Sequence, residues 1–270
     1  MAAPVKKKTA VKSAAKKPVA AKQKATGKAP VLTAKAFMDR LKPLQSVAEQ
    51  KKILRYFKSG EGQYAEGDQF IGVKMGQLFT VVKDFLEMPV AEIEKLLENP
   101  IHEARAGAVS IMDKASRNKK ITHSRRKELY DLYMRRHDRI NNWDLVDLGC
   151  LWMVGSYLFD KPRNILYKMA GSKNMWERRT AILGTCYFIR QNDVDDTFKI
   201  AALLLKDKED LVHKGAGWML RFAGDKDRKK LLAFLDKYAA TMPRTLLRYA
   251  IEKLDKKQKE HYMSLKNSIK

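Results

Sequence analysis

Pro100-Ile101-His102-Glu103-Ala104-Arg105 is echoed 74 residues later by Asn174-Met175-Trp176-Glu177-Arg178-Arg179. Near the midpoint between them lies Asn142-Trp143-Asp144-Leu145-Val146-Asp147, and Leu211-Val212-His213-Lys214 opens a similar stretch 36 residues after Met175. Each segment begins a run whose apolar residues recur at three- and four-residue spacing, the period of an amphipathic helix. A helix pair of about 30–40 residues cannot bury its apolar face alone and stacks on its neighbours. The repeat therefore predicts an all-α chain: an α-solenoid of HEAT-like helix pairs with one long, basic concave face. A compact helical bundle is the alternative that the same periodicity allows.

Outward from these segments the helical period holds from Leu32 to the C-terminus, with no run of strand-like alternation. It predicts helices at about 34–58, 74–86, 90–98, 101–116, 124–137, 143–159, 162–170, 174–191, 195–205, 209–223, 226–239, 242–253 and 256–266. Residues 60–72, with Gly62 and Gly67, read as the one long irregular connection. Residues 1–31 alternate Ala and Lys around Pro4, Pro18 and Pro30 and hold nothing that could form a core, so they read as a disordered basic tail ahead of a single domain at 32–270.

The chain of 270 residues carries a formal charge of +24; nine lysines without an acid give the first 31 residues +9, leaving +15 for the domain. A field of that sign favours a polyphosphate or an anionic surface as partner. No apolar run approaches the ~20 residues of a bilayer span, so no membrane is expected. Cys150 and Cys186 are too few for a disulfide framework or a zinc site, and a reducing, intracellular setting follows. The five histidines are scattered without metal-ligand spacing, and there is no phosphate-binding Gly-rich loop. No metal and no cofactor are expected.

On a helix, Trp143 and Asp147 stand one turn apart and point the same way. An indole beside a lone carboxylate suits a cationic, sugar-like transition state next to a polyanion. Asn142 is a good N-cap for that helix. Singly, such a pair is more often a packed indole and a salt-bridged acid. The pattern is repeated, however, since Trp176 precedes Arg179 and Trp218 precedes Arg221 by three residues each. Equivalent positions of a solenoid line one surface, so the three pairs are expected to converge. Arg244 and Arg248, one turn apart, extend the basic stripe. The nine Lys and Arg between Arg117 and Arg139 read first as a solvated face.

These segments resemble the DNA alkylation repair family of AlkD-type glycosylases. The resemblance rests on residues 142–147, on Trp176-Glu177-Arg178-Arg179-Thr180-Ala181-Ile182, and on His213-Lys214-Gly215-Ala216-Gly217-Trp218-Met219-Leu220-Arg221. Phe70-Ile71-Gly72-Val73-Lys74 and Pro243-Arg244-Thr245-Leu246-Leu247-Arg248-Tyr249-Ala250-Ile251 fit the same order. The resemblance implies a HEAT-like solenoid that hydrolyses the N-glycosidic bond of positively charged N3- or N7-alkylated purines, such as 3-methyladenine and 7-methylguanine, in double-stranded DNA. It implies that the base stays stacked while the enzyme works from the backbone side. Carried over, Asp147 is the catalytic acid, Trp143 and Trp218 are aromatic walls, and Arg179 is the cleft arginine. Lys214, Arg178, Arg221, Arg244 and Arg248 are expected to contact DNA. Gly215 and Gly217, around Ala216, leave the packing near Trp218 open. The resulting expectation is a monomeric, cytoplasmic, nucleoid-associated DNA-repair glycosylase. A non-catalytic binder of distorted or branched DNA is the second reading, and a scaffold for an acidic protein the third.

Overall fold

The computed structural model describes residues 31–265, so the tail expected at residues 1–31 lies, but for its last residue, outside the described residues. Its helices, in chain order, are α1 (Ala34–Leu41), α2 (Val47–Tyr56), α3 (Met75–Val82), α4 (Val90–Glu98), α5 (His102–Ser116), α6 (His123–Arg135) and α7 (Trp143–Gly149). Then α7 runs through a π-helical segment, Cys150–Gly155, into α8 (Ser156–Leu158). There follow α9 (Asn164–Ala170), α10 (Met175–Arg190), α11 (Asp195–Leu203), α12 (Asp210–Lys226), α13 (Arg228–Tyr238), α14 (Arg244–Ala250) and α15 (Lys256–Ser264). Among the described residues there is no strand; one isolated bridge joins Gln69 to Ile101.

Local chemistry sets these boundaries. Thr33, Ser46, Thr122 and Asp255 each accept a backbone N–H with a side-chain oxygen at the start of their helices. Pro89 and Pro243 precede α4 and α14, where a missing N–H costs nothing. The helix expected over 34–58 is in fact two, because Pro43 lies in a 3₁₀ turn, Lys42–Leu44, that ends α1, and Ser46 then starts α2.

The helices form two layers, as an α-solenoid requires. In the inner row α5 packs on α7, α7 on α10, α10 on α12, and α12 on α14. The outer helices α4, α6, α9, α11 and α13 each lie against this row. Helix α5 is enclosed on nearly every side, with only Lys114 outside the buried set. Its small residues Ala104, Ala106, Gly107 and Ala108 let neighbours approach closely, and the Phe37 ring fills the space a side chain at Gly107 would take. The core runs without interruption from Phe37 to Tyr262.

The repeat has a register that the sequence match misses by one. Arg105 donates through Nη1 to the carbonyls of Asn99 and Pro100, at 2.9 and 3.0 Å. It is Arg178, not Arg179, that repeats this, donating to Ser172 and Lys173 at 2.9 Å each. Both arginines lock the turn before their own helix. Arg179 is thereby left for a different task.

Candidate functional site

Helix α7 carries Trp143 and Asp147, and its first turn is heavily braced. Asn142 caps it, with Oδ1 accepting from the Trp143 N–H at 2.8 Å, while Nδ2 donates to Asp68 at 3.0 Å. Asp68 also pairs with the buried Arg105 and lies 3.3 Å from Nδ1 of His102. The other ring nitrogen of His102 donates to Asp144 at 2.7 Å. Burial pushes this imidazole toward the neutral form, but Asp144 and Asp68 outweigh it and lift its pKa to about 9, so it is an imidazolium at neutral pH. Nearby, the buried Glu103 gathers the N–H groups of Ile71, Gly72 and Val73 at 2.8 to 3.3 Å. Gly72 has φ +75°, and a Cβ there would lie 2.1 Å from the Ser46 carbonyl oxygen. Only glycine fits this close approach. The stretch Phe70-Ile71-Gly72-Val73-Lys74 is thus a backbone nest around a carboxylate.

Trp143 is half-buried. Phe57 stacks on it at 5.4 Å and 17°, and Tyr56 meets it edge-on at 5.6 Å. One turn on, Asp147 receives a two-point grip from Arg179 of α10: Nε donates to Oδ1 and Nη2 to Oδ2, each at 3.0 Å. Nη1 of the same guanidinium donates to the Leu211 carbonyl at the start of α12. One side chain therefore ties three successive inner helices together. Burial raises the Asp147 carboxyl above the ordinary carboxylate range, and Arg179 pulls it back only in part. The Asp147 side chain keeps 23% of its surface exposed, against 6% for Arg179.

The glycines of α12 have a role here. A Cβ on Gly215 would lie 3.3 Å from Nη1 of Arg179, and one on Gly217 would lie 2.5 Å from both the Leu246 carbonyl oxygen and the Tyr249 Cβ. Their bare backbone lets the guanidinium sit and lets α14 press onto α12. That closeness brings Tyr249 alongside Trp218 in a cleft of about 520 Å³. Trp143, Asp147, Arg179, Lys214 and Trp218 all line this cleft. Four inner helices, α7, α10, α12 and α14, contribute to it.

Other expected residues lie elsewhere. Trp176 is buried under Tyr64, at 6.1 Å, and does not reach the cleft. Arg178 donates to Asp207 through Nε at 2.6 Å, Arg221 pairs with Glu252, and Arg244 donates to the Met263 carbonyl at 2.9 Å. These three guanidinium groups brace neighbouring elements. Among the described residues Lys214 pairs with Asp210, on its own helix and part-exposed, and Arg248 is exposed. So of the three Trp-and-charge pairs, the first converges whole and the other two contribute one member each. The sequence reading gave no role to several lining residues, among them Tyr56, Lys58, Tyr64 and Tyr249. Tyr56 closes the first predicted helix beside Phe57, an aromatic pair at an exposed helix end that could have drawn notice. Tyr64 sits in the irregular connection, where no periodicity reports orientation. Among the described residues, no group of three or more His, Cys, Asp or Glu could hold a metal ion. No described helix is long and apolar enough to cross a membrane.

Residues 37–254 match the family model for DNA alkylation repair enzymes. The chain belongs to that family. No curated protein matches it. Among solved structures, one described as a predicted DNA alkylation repair enzyme from Enterococcus faecalis aligns with a TM-score of 0.62 at 15% identity, covering 78% of this chain and 97% of that one. At that identity the likeness speaks for the fold. Membership of the family carries a role in alkylation repair, and with it DNA binding. The matched span includes α2, α7, α10, α12 and α14, the helices that line the cleft.

Proposed function

We propose that this alkylation repair enzyme is a DNA glycosylase that releases cationic N3- and N7-alkylated purines from duplex DNA. One observation carries the reading: the Asp147 carboxylate, gripped by Arg179, opens onto a cleft whose walls include the indoles of Trp143 and Trp218. Ordinary glycoside hydrolysis needs a second carboxyl group to protonate the leaving group. An alkylated purine already bears a positive charge. When C1′–N9 breaks, the bonding pair passes into the purine and neutralises it, while the sugar becomes an oxocarbenium ion. Water then adds its oxygen to C1′ and gives up a proton. Asp147 supplies charge complementary to that sugar cation. Indole faces add cation–π attraction of roughly 0.5–2 kcal/mol each. Arg179 holds the carboxylate in place before the cation forms, which is the preorganisation that lowers a barrier.

The phosphate flanking the lesion is assigned to Lys214 and Lys58 at the cleft and to Arg248 beyond it. Glu209 and Asp210 also border the cleft, with Asp210 tied to Lys214 at 2.7 Å. A second reading has one specific support: Arg179 engages both oxygens of Asp147, leaving the carboxylate partly neutralised. That arrangement suits a silent binder of distorted or branched DNA. Release of free 7-methylguanine from methylated duplex, with Asp147→Asn alongside, separates the two. Release by the parent and loss in the variant supports the glycosylase; retention of tight DNA binding without release by either supports the binder.

A further inference from the structure

A second cluster of aromatic and cationic groups lies beyond the cleft on the same inner helices. On α7 and the π-helical segment that continues it, the partly exposed residues form one stripe that runs through Trp143, Asp147, Leu151 and Trp152. On α10 the helical period carries the face of Arg179 on to Cys186 and Arg190, seven and eleven residues later. The two faces meet at Trp152. Its ring lies 5.9 Å from the guanidinium carbon of Arg190 and 5.9 Å from that of Arg117, which follows the last turn of α5. Tyr187 meets the same indole edge-on at 5.4 Å.

This cluster holds more positive charge than its pairings use. Arg190 is exposed and forms no ion pair among the described residues. Arg117, half-exposed, pairs with Asp113 at 2.6 Å. Lys114 is held 4.5 Å over the Phe79 ring, and its pKa is lowered by burial and then by the charges of Lys83 and Arg117. Like charges gathered so closely repel one another, and an anion relieves that repulsion. The indole meanwhile limits where the two arginines swing, since a guanidinium favours an aromatic surface. Two such forks suit a row of phosphates. Spacing says which row. At 1.5 Å per residue Arg190 stands about 16 Å along α10 from Arg179. A backbone at Arg179 has its partner backbone across a groove about 6–12 Å wide, and an extended arginine covers what remains. Building on the glycosylase reading, which sets the damaged strand at Asp147, we propose that Arg117 and Arg190, steadied by Trp152, grip phosphates of the opposite strand. The protein then engages both strands, and its choice of duplex over single strand lies in this cluster.

Binding of the full chain to an undamaged duplex and to one of its strands alone, each followed by fluorescence anisotropy over a range of salt, tests this. Arg190→Ala should lower the duplex slope of log K against log salt by about 0.9 and leave the single-strand slope unchanged. Trp152→Leu removes no charge, yet it should lower the duplex slope too, because the arginines lose their platform. Trp152→Phe keeps a ring and should restore most of that slope. A Trp152→Leu slope equal to the parent's would overturn the indole's part. An Arg190→Ala fall that is equal on duplex and single strand, or absent from both, would overturn the opposite-strand grip. Release of 7-methylguanine is scored separately: a parent that releases none refutes the glycosylase reading, while a duplex-only fall in slope still upholds the grip.

Discussion

Asp147→Asn separates charge from shape at the centre of the cleft. The amide keeps one oxygen for Arg179 and replaces the other with an N–H that the guanidinium cannot use, so one of two charge-assisted contacts at 3.0 Å is lost. A bond to a charged group is worth about 1.5–3 kcal/mol, and the nearly buried Arg179 is left without a counter-charge, so we expect a stability loss of about 2–3 kcal/mol. For a domain of this size that lowers Tm by about 5–10 °C. The catalytic loss should be larger in proportion. Removing one preorganised electrostatic group costs about 100- to 1,000-fold in rate, and at least the lower figure is expected in single-turnover release of 7-methylguanine at a temperature where both proteins are folded. Binding of undamaged duplex should change little, because the charge acts on the transition state. The parent's rate should also fall as pH drops through the Asp147 pKa, at a pH above the ordinary carboxylate value of 3.8, since burial raises that pKa and the ionised form is the active one. An Asp147→Asn protein that excises at the parental rate refutes the electrostatic role.

Three further outcomes are expected. The His102 pKa is raised from 6.5 to about 9 on folding, so its contribution, about 3 kcal/mol, is complete below 6.5 and disappears as pH climbs through about 9; thermal unfolding across that window should show the decline in the parent, and a curve for His102→Gln with the same slope would contradict it. Gly217→Ala must push α14 away from a 2.5 Å approach, costing about 1–3 kcal/mol by denaturant unfolding; an unchanged midpoint would show that α14 moves freely. Lys214→Ala with Arg248→Ala should lower the slope of log K against log salt for duplex binding by about 0.9 per lost phosphate contact, whereas Arg178→Ala should cost stability through Asp207 and leave that slope alone; the reverse pattern would reassign all three.

How legible this was depends on how local each interaction is. Trp143 and Asp147 were legible because helical geometry alone aligns residues four apart. Helix spans were legible wherever a cap or proline coincided with the end of an apolar pattern, and illegible at Pro43, where the pattern ran across the break. The register of the repeat was misread because Arg178 and Arg179 are adjacent and identical. What distinguishes them is which partner lies across the fold, Asp207 for one and Asp147 for the other. For the same reason the charges on Arg221 and Arg244 counted toward a basic stripe, although Glu252 and the carbonyl of Met263 employ them as braces. A charge count cannot see a partner that sits in another repeat.

A stacked-helix array behaves like a coil spring, since each layer touches only the next and small rotations add along its length. Arg179 rivets three consecutive turns of that spring at the point where the lesion would sit. Twisting those turns apart means separating a guanidinium from a carboxylate and a carbonyl, which is far stiffer than sliding leucines past one another. The side chain that stiffens the array is thereby also the one that holds Asp147. On the proposed reading, a duplex entering here meets the stiffest part of the array at the damaged nucleotide, so the duplex rather than the protein is expected to bend there.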